Sequence, residues 1–408
     1  MSKSPTLRLP TGMRDFAPRA AASRRRIAET LLGVFERWGF ARVITPAFEY
    51  EETLALGLGG AGRAAAIRFV EPASGQVVAL RPDITPQIAR LIATRFRDEP
   101  GAVRLSYEGT VVRLERAGKG QRELIQAGVE LAGVESPSGD AEVIALGVAA
   151  LRAAGLPRPT IDLGHLGLAR EIFSALKLPE AAVSEARRCV AKRDATGLAE
   201  VLREARGPAV VVRFAALLPE LAGSPAVLAK AAKRAPTPGI RRALADLAGI
   251  VAAVEARGVD AKLHVDLGEV RGFDYYTGVR FQAFVPGAAD AVLAGGRYDD
   301  LLARYGRPSP AVGFAIDVEA AAGALEAALG EAASPADELS NGAGGVLVAG
   351  PHAAATKLAD ELRRAGKRAV AELSGLEGAA LAAYARRWGY SQVVRASARA
   401  QVTKQKGR

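Results

Sequence analysis

An almost wholly helical stretch at residues 166–258 interrupts a chain whose flanking segments have the pattern of β-strands. Apolar positions partly alternate in the strand candidates on both sides, a period typical of half-buried strands. The connections between them are too short for repeated crossovers, which favours antiparallel pairing. We therefore expect an α+β fold, an antiparallel sheet with helices packed on it and a helical insertion. The candidates are FARVITPAF, QVVALRP (76–82), AVRLSYEGTVVR (102–113), LIQAGVELAG (124–133), AKLHVDLGEV, VRFQAFV and AVLAGG.

The ends of the chain predict two domains joined by a linker. Apolar residues from Ile27 to Trp38 follow the helical spacing i, i+4, i+7, i+8, i+11, and DVEAAAGALEAALG closes a large domain at residues 1–330. Residues 331–345 are small, polar and glycine-rich, which is typical of a linker. Beyond it, residues 346–408 alternate as βαβαβ, which predicts a small, mainly parallel α/β domain.

Composition excludes some functions without selecting one. The 55 Lys and Arg residues exceed the 44 Asp and Glu residues, and a net charge of +11 suits nucleic acid, phosphorylated metabolites or an acidic protein. The excess is spread along the chain, so the run Arg24–Arg26 and the tail from Arg395 are interpreted as solvated surface. No segment has ~20 successive apolar residues and the first residues lack a signal-peptide pattern, so we expect a cytoplasmic protein without a membrane segment.

Metal and disulfide chemistry are not expected. The chain has one cysteine, Cys189, and three histidines, His165, His264 and His352. That excludes an internal disulfide and leaves too few ligands for a typical zinc site. We interpret these four residues as structural or exposed.

Polar groups interrupt apolar strands in four segments, where burial without partners is costly. In LRPDITPQIAR (80–90), Asp83 and Thr85 have two interpretations: ligand-binding groups, or a helix start with Thr85 as N-cap and Pro86 in the first turn. In residues 107–130, two strands flank a basic loop. Arg113 lies on the first strand, and Gln126 and Glu130 share parity on the second, although a surface hairpin could carry the same charges.

The other two segments are rich in glycine. RGFDYYTGVRFQAF (271–284) places Arg271, Asp274, Tyr275 and Tyr276 between glycines; an arginine fork can hold a carboxylate and tyrosines can line a pocket, whereas the alternative is a turn with core tyrosines. AGGRYDDLL (294–302) carries Arg297 after a glycine pair, where it could face a ligand. The chain has no GxSxG, GxxxxGK[ST] or strand-linked GxGxxG motif, so no catalytic nucleophile and no cofactor are predicted.

Taken in order, the four segments resemble histidyl-tRNA synthetase, a class II aminoacyl-tRNA synthetase, over roughly residues 9–330. RGFDYYTG is close to that family's RGLDYYTG, AGGRYDDL to AGGRYDGL, LRPD to LRPE, and YEGTVVRLER with QAGVE to the motif-2 hairpin. The resemblance implies a pocket for free histidine. Asp83, Thr85 and Gln126 would meet its ammonium and carboxylate groups, Arg271 its carboxylate, and Glu130 and Tyr276 its imidazole, with Arg113 and Tyr275 completing the histidine-binding set.

Departures from the synthetase pattern decide between functions. Where the family has GFAIGLERL, this chain has GFAIDVEAAAGAL, so Asp317 and Ala320 replace a glycine and the arginine that packs on ATP. A methyl group cannot neutralise a triphosphate, and a new carboxylate repels one. LRPDITPQIAR and GFAIDVE are more similar to the regulatory subunits of short-form ATP phosphoribosyltransferase, the first enzyme of histidine biosynthesis. The hairpin loop is also shorter than in the synthetases, and the small C-terminal domain is a poor candidate for reading an anticodon.

That resemblance implies a subunit without catalytic residues. It would assemble with a short catalytic chain, raise its activity and confer inhibition by histidine, on a homodimeric building block formed around RVITPAFEY. The alternatives are an active, divergent histidyl-tRNA synthetase and an RNA-binding paralogue. Only the net charge and the basic tail support the latter, so tRNA binding is not expected.

Overall fold

A computed structural model describes residues 7–114, 121–272, 275–328 and 344–397. The described chain divides into two compact units. The larger contains described residues between 27 and 328 together with residues 7–13, and the smaller contains residues 14–26 and 344–397. The predicted linker, residues 331–345, lies almost wholly outside the described residues, and the predicted domain boundaries stay predictions.

The first half of the chain, which belongs to the large unit from Ile27 onward, alternates helices with strands. Two of its strands, β5 and β6, are ten residues long and form the predicted hairpin; their connecting residues 115–120 lie outside the described chain. The elements are α1 (Pro18–Arg37), β1 (Ala41–Arg42), β2 (Phe48–Tyr50), α2 (Glu51–Gly57), α3 (Gly60–Ala65), β3 (Arg68–Val70), β4 (Val77–Leu80), α4 (Thr85–Arg95), β5 (Val103–Val112), β6 (Glu123–Ala132), α5 (Ser138–Ala153) and β7 (Thr160–His165).

The predicted helical insertion follows β7 directly. Six helices, two 3₁₀ turns and one two-residue strand occupy it, and every residue from 166 to 256 is described. The elements are α6 (Leu166–Leu176), α7 (Glu180–Lys192), α8 (Ala195–Val201), a 3₁₀ turn (Leu202–Glu204), α9 (Ala209–Ala215), a 3₁₀ turn (Leu218–Glu220), β8 (Ala222–Gly223), α10 (Ala226–Ala232) and α11 (Pro238–Ala256).

Strands resume after the insertion and complete one large sheet. These elements are β9 (Lys262–Asp266), β10 (Val279–Phe284), β11 (Leu293–Arg297), α12 (Leu301–Arg304), β12 (Ala311–Asp317) and α13 (Val318–Ala328). Within the described residues, nine strands pair in the order β1-β5-β6-β12-β11-β10-β7-β9-β8. The six strands from β5 to β7 are antiparallel neighbours, which confirms the predicted α+β architecture.

The two faces of this sheet have different roles. On β6, Ala127, Val129 and Leu131 are buried in the main hydrophobic core. Side chains alternate along a strand, so Gln126 and Glu130 lie on the opposite face. That face packs on α4 and α12 through a second cluster that includes Ile88 and Leu301. The polar residues of interest therefore lie on the face away from the main core.

A second, three-stranded sheet in the order β2-β4-β3 lies in the large unit. The sequence predicts one strand over FARVITPAF, but the structure has two short ones, β1 and β2. The reason is local: Pro46 has no N–H to continue a ladder, and the carbonyl groups of Thr45 and Pro46 accept hydrogen bonds from the buried Arg81 guanidinium at 3.0 and 3.4 Å. The sequence reasoning also missed β3, β7 and β12.

The small unit has the predicted parallel α/β order. Its elements are β13 (Val346–Ala349), α14 (His352–Arg364), β14 (Ala369–Ala371), α15 (Gly378–Arg387) and β15 (Gln392–Arg395). The strands are parallel in the order β14-β13-β15. Among its described residues the chain contains no helix that is both long and apolar enough to cross a membrane.

Candidate functional site

Strand register brings polar residues from distant parts of the chain into adjacent rows. Gln126 of β6 lies between Gly109 of β5 and Asp317 of β12. Two residues further along β6, Gly128 is paired with Tyr107 and Ala315, and Glu130 is paired with Leu105 and Gly313. Glycine and alanine at several of these positions leave space above the sheet, and polar side chains border that space.

Glu130 is the centre of a buried hydrogen-bond cluster. Its side chain is 2% exposed. The Thr85 hydroxyl donates to its Oε1 at 2.7 Å, the Tyr107 hydroxyl donates to the same oxygen at 3.3 Å, and the Tyr298 hydroxyl donates to Oε2. Helix α4, strand β5 and the residue that follows β11 thus converge on one carboxyl group of β6.

Burial raises the pKa of Glu130 well above its usual value, and the nearby Asp83 carboxylate raises it further. The hydrogen bonds from Thr85 and Tyr107 lower this pKa but do not outweigh burial. Burial likewise raises the pKa of Tyr107, with a contribution from Glu130. The cluster therefore favours uncharged groups that can both donate and accept hydrogen bonds.

Two glycines are required for this arrangement. A Cβ atom at Gly313 would lie 1.7 Å from Glu130 Oε2, and one at Gly128 would lie 2.5 Å from the Tyr107 hydroxyl. No side-chain shift of ordinary size relieves such overlaps when the neighbours are themselves buried. The sequence around Gly313, GFAID, does not predict that this glycine lies against the carboxyl group of Glu130.

A cavity of about 250 Å³ opens beside this cluster. Six of the eight predicted histidine-binding residues line it; the seventh, Glu130, hydrogen-bonds to Thr85 of the lining. The lining also includes Tyr298 and Asp317. The six are Asp83, Thr85, Arg113, Gln126, Tyr275 and Tyr276.

Two polar atoms at this cavity have no hydrogen-bond partner among the described residues. They are Gln126 Oε1 and the Tyr275 hydroxyl, both buried. Buried polar atoms are nearly always hydrogen-bonded, so an unsatisfied pair beside a cavity indicates a ligand. Burial raises the pKa of Tyr275 well above its usual value, and Asp83 and Glu130 add to the shift, so this hydroxyl is neutral and able to donate.

The sequence left two interpretations of Asp83 and Thr85, as ligand-binding groups or as a helix start with Thr85 as N-cap. Helix α4 begins at Thr85 with Pro86 in its first turn, but Thr85 is not the N-cap. Asp83 Oδ1 instead accepts the backbone N–H groups of Ile84 and Thr85 at 2.8 and 3.4 Å. This leaves the Thr85 hydroxyl to donate to Glu130, a long-range contact that local sequence cannot reveal.

Arg271, the eighth predicted site residue, does not line the cavity. Its guanidinium forms a two-pronged ion pair with Glu269, at 2.9 Å from Nε to Oε1 and 2.5 Å from Nη2 to Oε2. Arg280 binds the same carboxylate at 2.5 Å. The Arg271 side chain is 53% exposed, and its neighbours Phe273 and Asp274 lie outside the described residues.

Arg297 follows a glycine pair from which it could face a ligand, but in the structure its side chain is buried. Its side chain is 3% exposed and its Nε lies 2.9 Å from Asp140 Oδ1. Nη1 donates to Asp299 Oδ1 and Nη2 to the carbonyl of Val134. These partners use its donor groups inside the protein, so we assign it a structural role.

The segment that departs from the synthetases forms one end of the cavity wall. Asp317 ends β12, and its Oδ1 accepts the N–H groups of Glu319 and Ala320 at 2.9 and 3.0 Å, which caps α13. Ala320, where synthetases have an arginine, lies in the first turn of that helix. The cavity wall thus carries a carboxylate at position 317, and position 320 has a methyl group where the synthetases have a guanidinium.

A second cavity of about 510 Å³ shares part of this wall. Asp83, Arg113, Tyr275 and Tyr276 line both cavities, and Arg187 of the helical insertion lines the second. Arg113 is held in place because its Nε donates to the carbonyl of Pro82 at 2.6 Å. Among the described residues, no group of three or more His, Cys, Asp and Glu side chains could hold a metal ion.

Comparison with known proteins agrees with this geometry. A family profile described as histidyl-tRNA synthetase matches residues 12–321. A curated protein of Geobacter sulfurreducens named ATP phosphoribosyltransferase regulatory subunit is 42% identical over 319 residues, which is 78% of this chain and 73% of that protein. The chain belongs to the ATP phosphoribosyltransferase regulatory subunit family. A second member of the family, from Syntrophotalea carbinolica, is 40% identical over 89% of this chain and 84% of its own length.

Solved structures extend the match beyond the large unit. A Bacillus halodurans protein described as an ATP phosphoribosyltransferase regulatory subunit/histidyl-tRNA synthetase superposes with a TM-score of 0.82 at 27% identity, over 97% of this chain and 100% of that one. A histidyl-tRNA synthetase from Nostoc has a TM-score of 0.75 at 20% identity, over 96% and 91%. The latter shows the shared class II synthetase fold. Membership of the regulatory-subunit family is consistent with the loss of the ATP-binding arginine at position 320.

Three residues that shape the site were not predicted from the sequence. Tyr107 and Tyr298 hold Glu130, and Gly313 makes room for it. Tyr298 directly follows the AGGR segment that the sequence singled out, so a polar aromatic residue beside a glycine pair was the available signal. Tyr107 shares a strand face with Leu105 and carried no such signal.

Proposed function

We propose that this chain is a regulatory subunit of ATP phosphoribosyltransferase, without catalytic activity of its own, that acts in the first step of histidine biosynthesis. A short-form catalytic subunit would require it for activity and would become sensitive to histidine through it. The relatives' names support the subunit assignment. The observation that carries the effector assignment is a cavity at which Gln126 Oε1 and the Tyr275 hydroxyl have no partner in the described part of the chain. The chain also has alanine at position 320, where the resemblance to the synthetases predicts an ATP-binding arginine.

Histidine would occupy this cavity as a zwitterion. Its imidazole would meet Glu130 and Tyr276, and its ammonium group would meet Asp83, Thr85 and Gln126. Arg113 lines the cavity, whereas Arg271 would have to exchange Glu269 for the ligand carboxylate. A guanidinium binds either carboxylate in the same two-pronged way, so this exchange keeps its hydrogen bonds. Tyr275 supplies the remaining neutral donor.

Regulation then follows from binding linkage. Histidine can shift the assembly only by binding one of its conformations more tightly than another. The same coupling makes the catalytic subunit alter the affinity of this chain for histidine. We propose a cytoplasmic location for the chain, as expected for a subunit of a biosynthetic enzyme.

An apolar surface supports a homodimeric building block. The β2-β4-β3 sheet leaves Phe48, Tyr50 and Phe69 between 38% and 45% exposed, and Ile44 beside it is 83% exposed. These residues lie in or near the RVITPAFEY segment. Exposed apolar patches of this kind mark protein contacts. Sedimentation should show a dimer in the wild-type chain and a monomer after Phe69→Glu, whereas an unchanged dimer would place the interface elsewhere.

Reconstitution tests the proposed function. The purified chain is mixed with a short phosphoribosyltransferase chain, co-purification is assayed, and phosphoribosyl transfer to ATP is measured with and without histidine. We expect a stable complex, activity well above that of the catalytic chain alone, and inhibition by histidine. In a parallel calorimetric measurement, Glu130→Ala should abolish histidine binding, because it removes the buried partner of the imidazole.

Two observations favour the alternative, an active histidyl-tRNA synthetase. The family profile that matches residues 12–321 is described as histidyl-tRNA synthetase, and the cavity is lined by six residues that the resemblance assigns to the amino acid. This alternative predicts histidine-dependent exchange of pyrophosphate into ATP by the purified chain. Exchange above background would overturn the regulatory assignment. tRNA binding that falls steeply with salt would instead favour an RNA-binding role.

A further inference from the structure

The geometry points to Asp317 as a ligand-binding residue: its carboxylate and the Gln126 amide oxygen together bind the ammonium group of the amino acid in the cavity. This inference rests on the proposed function, because it takes an amino acid as the occupant. It adds a role for a residue that the sequence marked only as an obstacle to nucleotide binding.

Strand register places the two acceptors side by side. Gln126 and Asp317 are direct partners across β6 and β12, and both line the cavity of about 250 Å³. Gln126 is 8% exposed and its Oε1 has no partner among the described residues. A buried acceptor that lines a cavity beside a carboxylate needs a donor, and the described residues supply none.

Asp317 is held in position by its own helix. Oδ1 accepts the N–H groups of Glu319 and Ala320, which fixes the side chain at the start of α13. Among the described residues, no donor is hydrogen-bonded to Oδ2. One oxygen therefore positions the group, and the other is available to a ligand without any rearrangement of the helix.

The charge on the cavity wall selects an ammonium group for this position. The described charged residues of the lining are Asp83, Asp317 and Arg113, so two carboxylates face one guanidinium. A phosphate or carboxylate beside Asp317 would meet like charge, whereas an ammonium group offers three donors to its oxygen and to Gln126. The substitution that removed the nucleotide thus adds a partner for the amino acid.

Calorimetry on the full chain with two ligands tests this assignment. Histidine carries the ammonium group, and imidazole propionate has the same ring and carboxylate without it. Asp317→Asn keeps an oxygen to cap α13 but removes the charge. We expect histidine to bind about tenfold more weakly or worse, which is about 1.4 kcal/mol, and imidazole propionate to bind within about twofold of its wild-type affinity. Gln126→Met should likewise weaken the binding of histidine but not that of imidazole propionate. This variant replaces Asp317→Asn in the test if Asp317→Asn folds poorly.

A matched control separates binding from helix capping. Asp194 caps α8 through a hydrogen bond from the N–H of Gly197 at 2.8 Å and does not line the cavity. Asp194→Asn should leave both affinities unchanged. Equal effects of Asp317→Asn on the two ligands, or none, would overturn the role of Asp317 while leaving histidine as the effector. A wild-type chain that binds no histidine would overturn the proposed effector and this inference with it.

Discussion

The Glu130 cluster and the Arg297 ion pair are both buried polar groups on the large sheet, but they differ in what surrounds them. The Nε, Nη1 and Nη2 atoms of Arg297 donate to Asp140, Asp299 and Val134 inside the protein. At the cavity beside the Glu130 cluster, Gln126 Oε1 and the Tyr275 hydroxyl have no partner in the described part of the chain. A binding site is therefore distinguished from a structural ion pair by buried polar atoms that lack hydrogen-bond partners and line a cavity. Burial of a charged group does not by itself make that distinction.

The largest expected effect in this comparison is a loss of stability when the Arg297 ion pair is broken. Arg297→Met should lower the free energy of unfolding by about 3–5 kcal/mol, because it leaves the Asp140 carboxylate buried without its partner. Burial already raises the pKa of Asp140, and Arg297 opposes that shift. Urea unfolding at neutral pH measures the loss.

A double variant serves as the control for that measurement. Asp140→Leu combined with Arg297→Met removes both charges and should recover much of the stability, since a buried pair is often replaceable by apolar groups. The histidine affinity of the folded single variant should stay within about threefold of the wild-type value. A loss of stability below about 1 kcal/mol, or a selective loss of histidine binding, would assign Arg297 to the site and remove the distinction.

These clusters also show how far the sequence predicts the site. The shared parity of Gln126 and Glu130 places both on one face of β6, as the structure confirms. Arg297 could not be classified in the same way, because its partner Asp140 lies 157 residues away in the sequence. Alternation within a strand is local information, whereas the partner of a buried charge is set by packing between distant segments.

The helical insertion and the antiparallel sheet were predictable for a similar reason. Both depend on periodicity within single segments. The short strands β3 and β8 were not predictable, since each is defined by its pairing with another strand, β4 or β9. The split between β1 and β2 was not predictable either, since it depends on the long-range hydrogen bonds of Arg81. The pairing of Arg271 with Glu269 is local, since the sequence GEVRG places the two residues only two positions apart.

The intermediate effect concerns Arg271, which the resemblance places at the ligand and which pairs with Glu269 in this structure. Arg271→Ala should weaken histidine binding about tenfold by removing a charged hydrogen-bond partner, with little loss of stability because the side chain is half-exposed. Glu269→Gln should leave the affinity unchanged or tighten it, because it weakens the competing pair. Calorimetry on both variants checks the two directions; an unchanged affinity in Arg271→Ala would remove this residue from the site.

The smallest effect is a change in pH dependence that reports on Glu130. Its folded-state pKa is raised by burial, so its stabilising contribution is fully present below the pKa of the unfolded chain and is lost as pH rises through the raised folded value. Glu130→Gln cannot ionise, and the Tyr298 hydroxyl can accept from the new amide as readily as it donates to the carboxylate. The variant should therefore become more stable relative to the wild type as pH rises from acid to neutral, in the absence of ligand.

Urea unfolding across that pH range measures the difference in stability. The matched control is Glu142→Gln, which makes the same charge change at a carboxylate that pairs with Arg104 away from the cavity. Parallel curves for Glu130→Gln and the wild type would mean that the ionised carboxylate is tolerated in the fold, and the contrast between a neutral ligand-facing cluster and a charged structural pair would then fail.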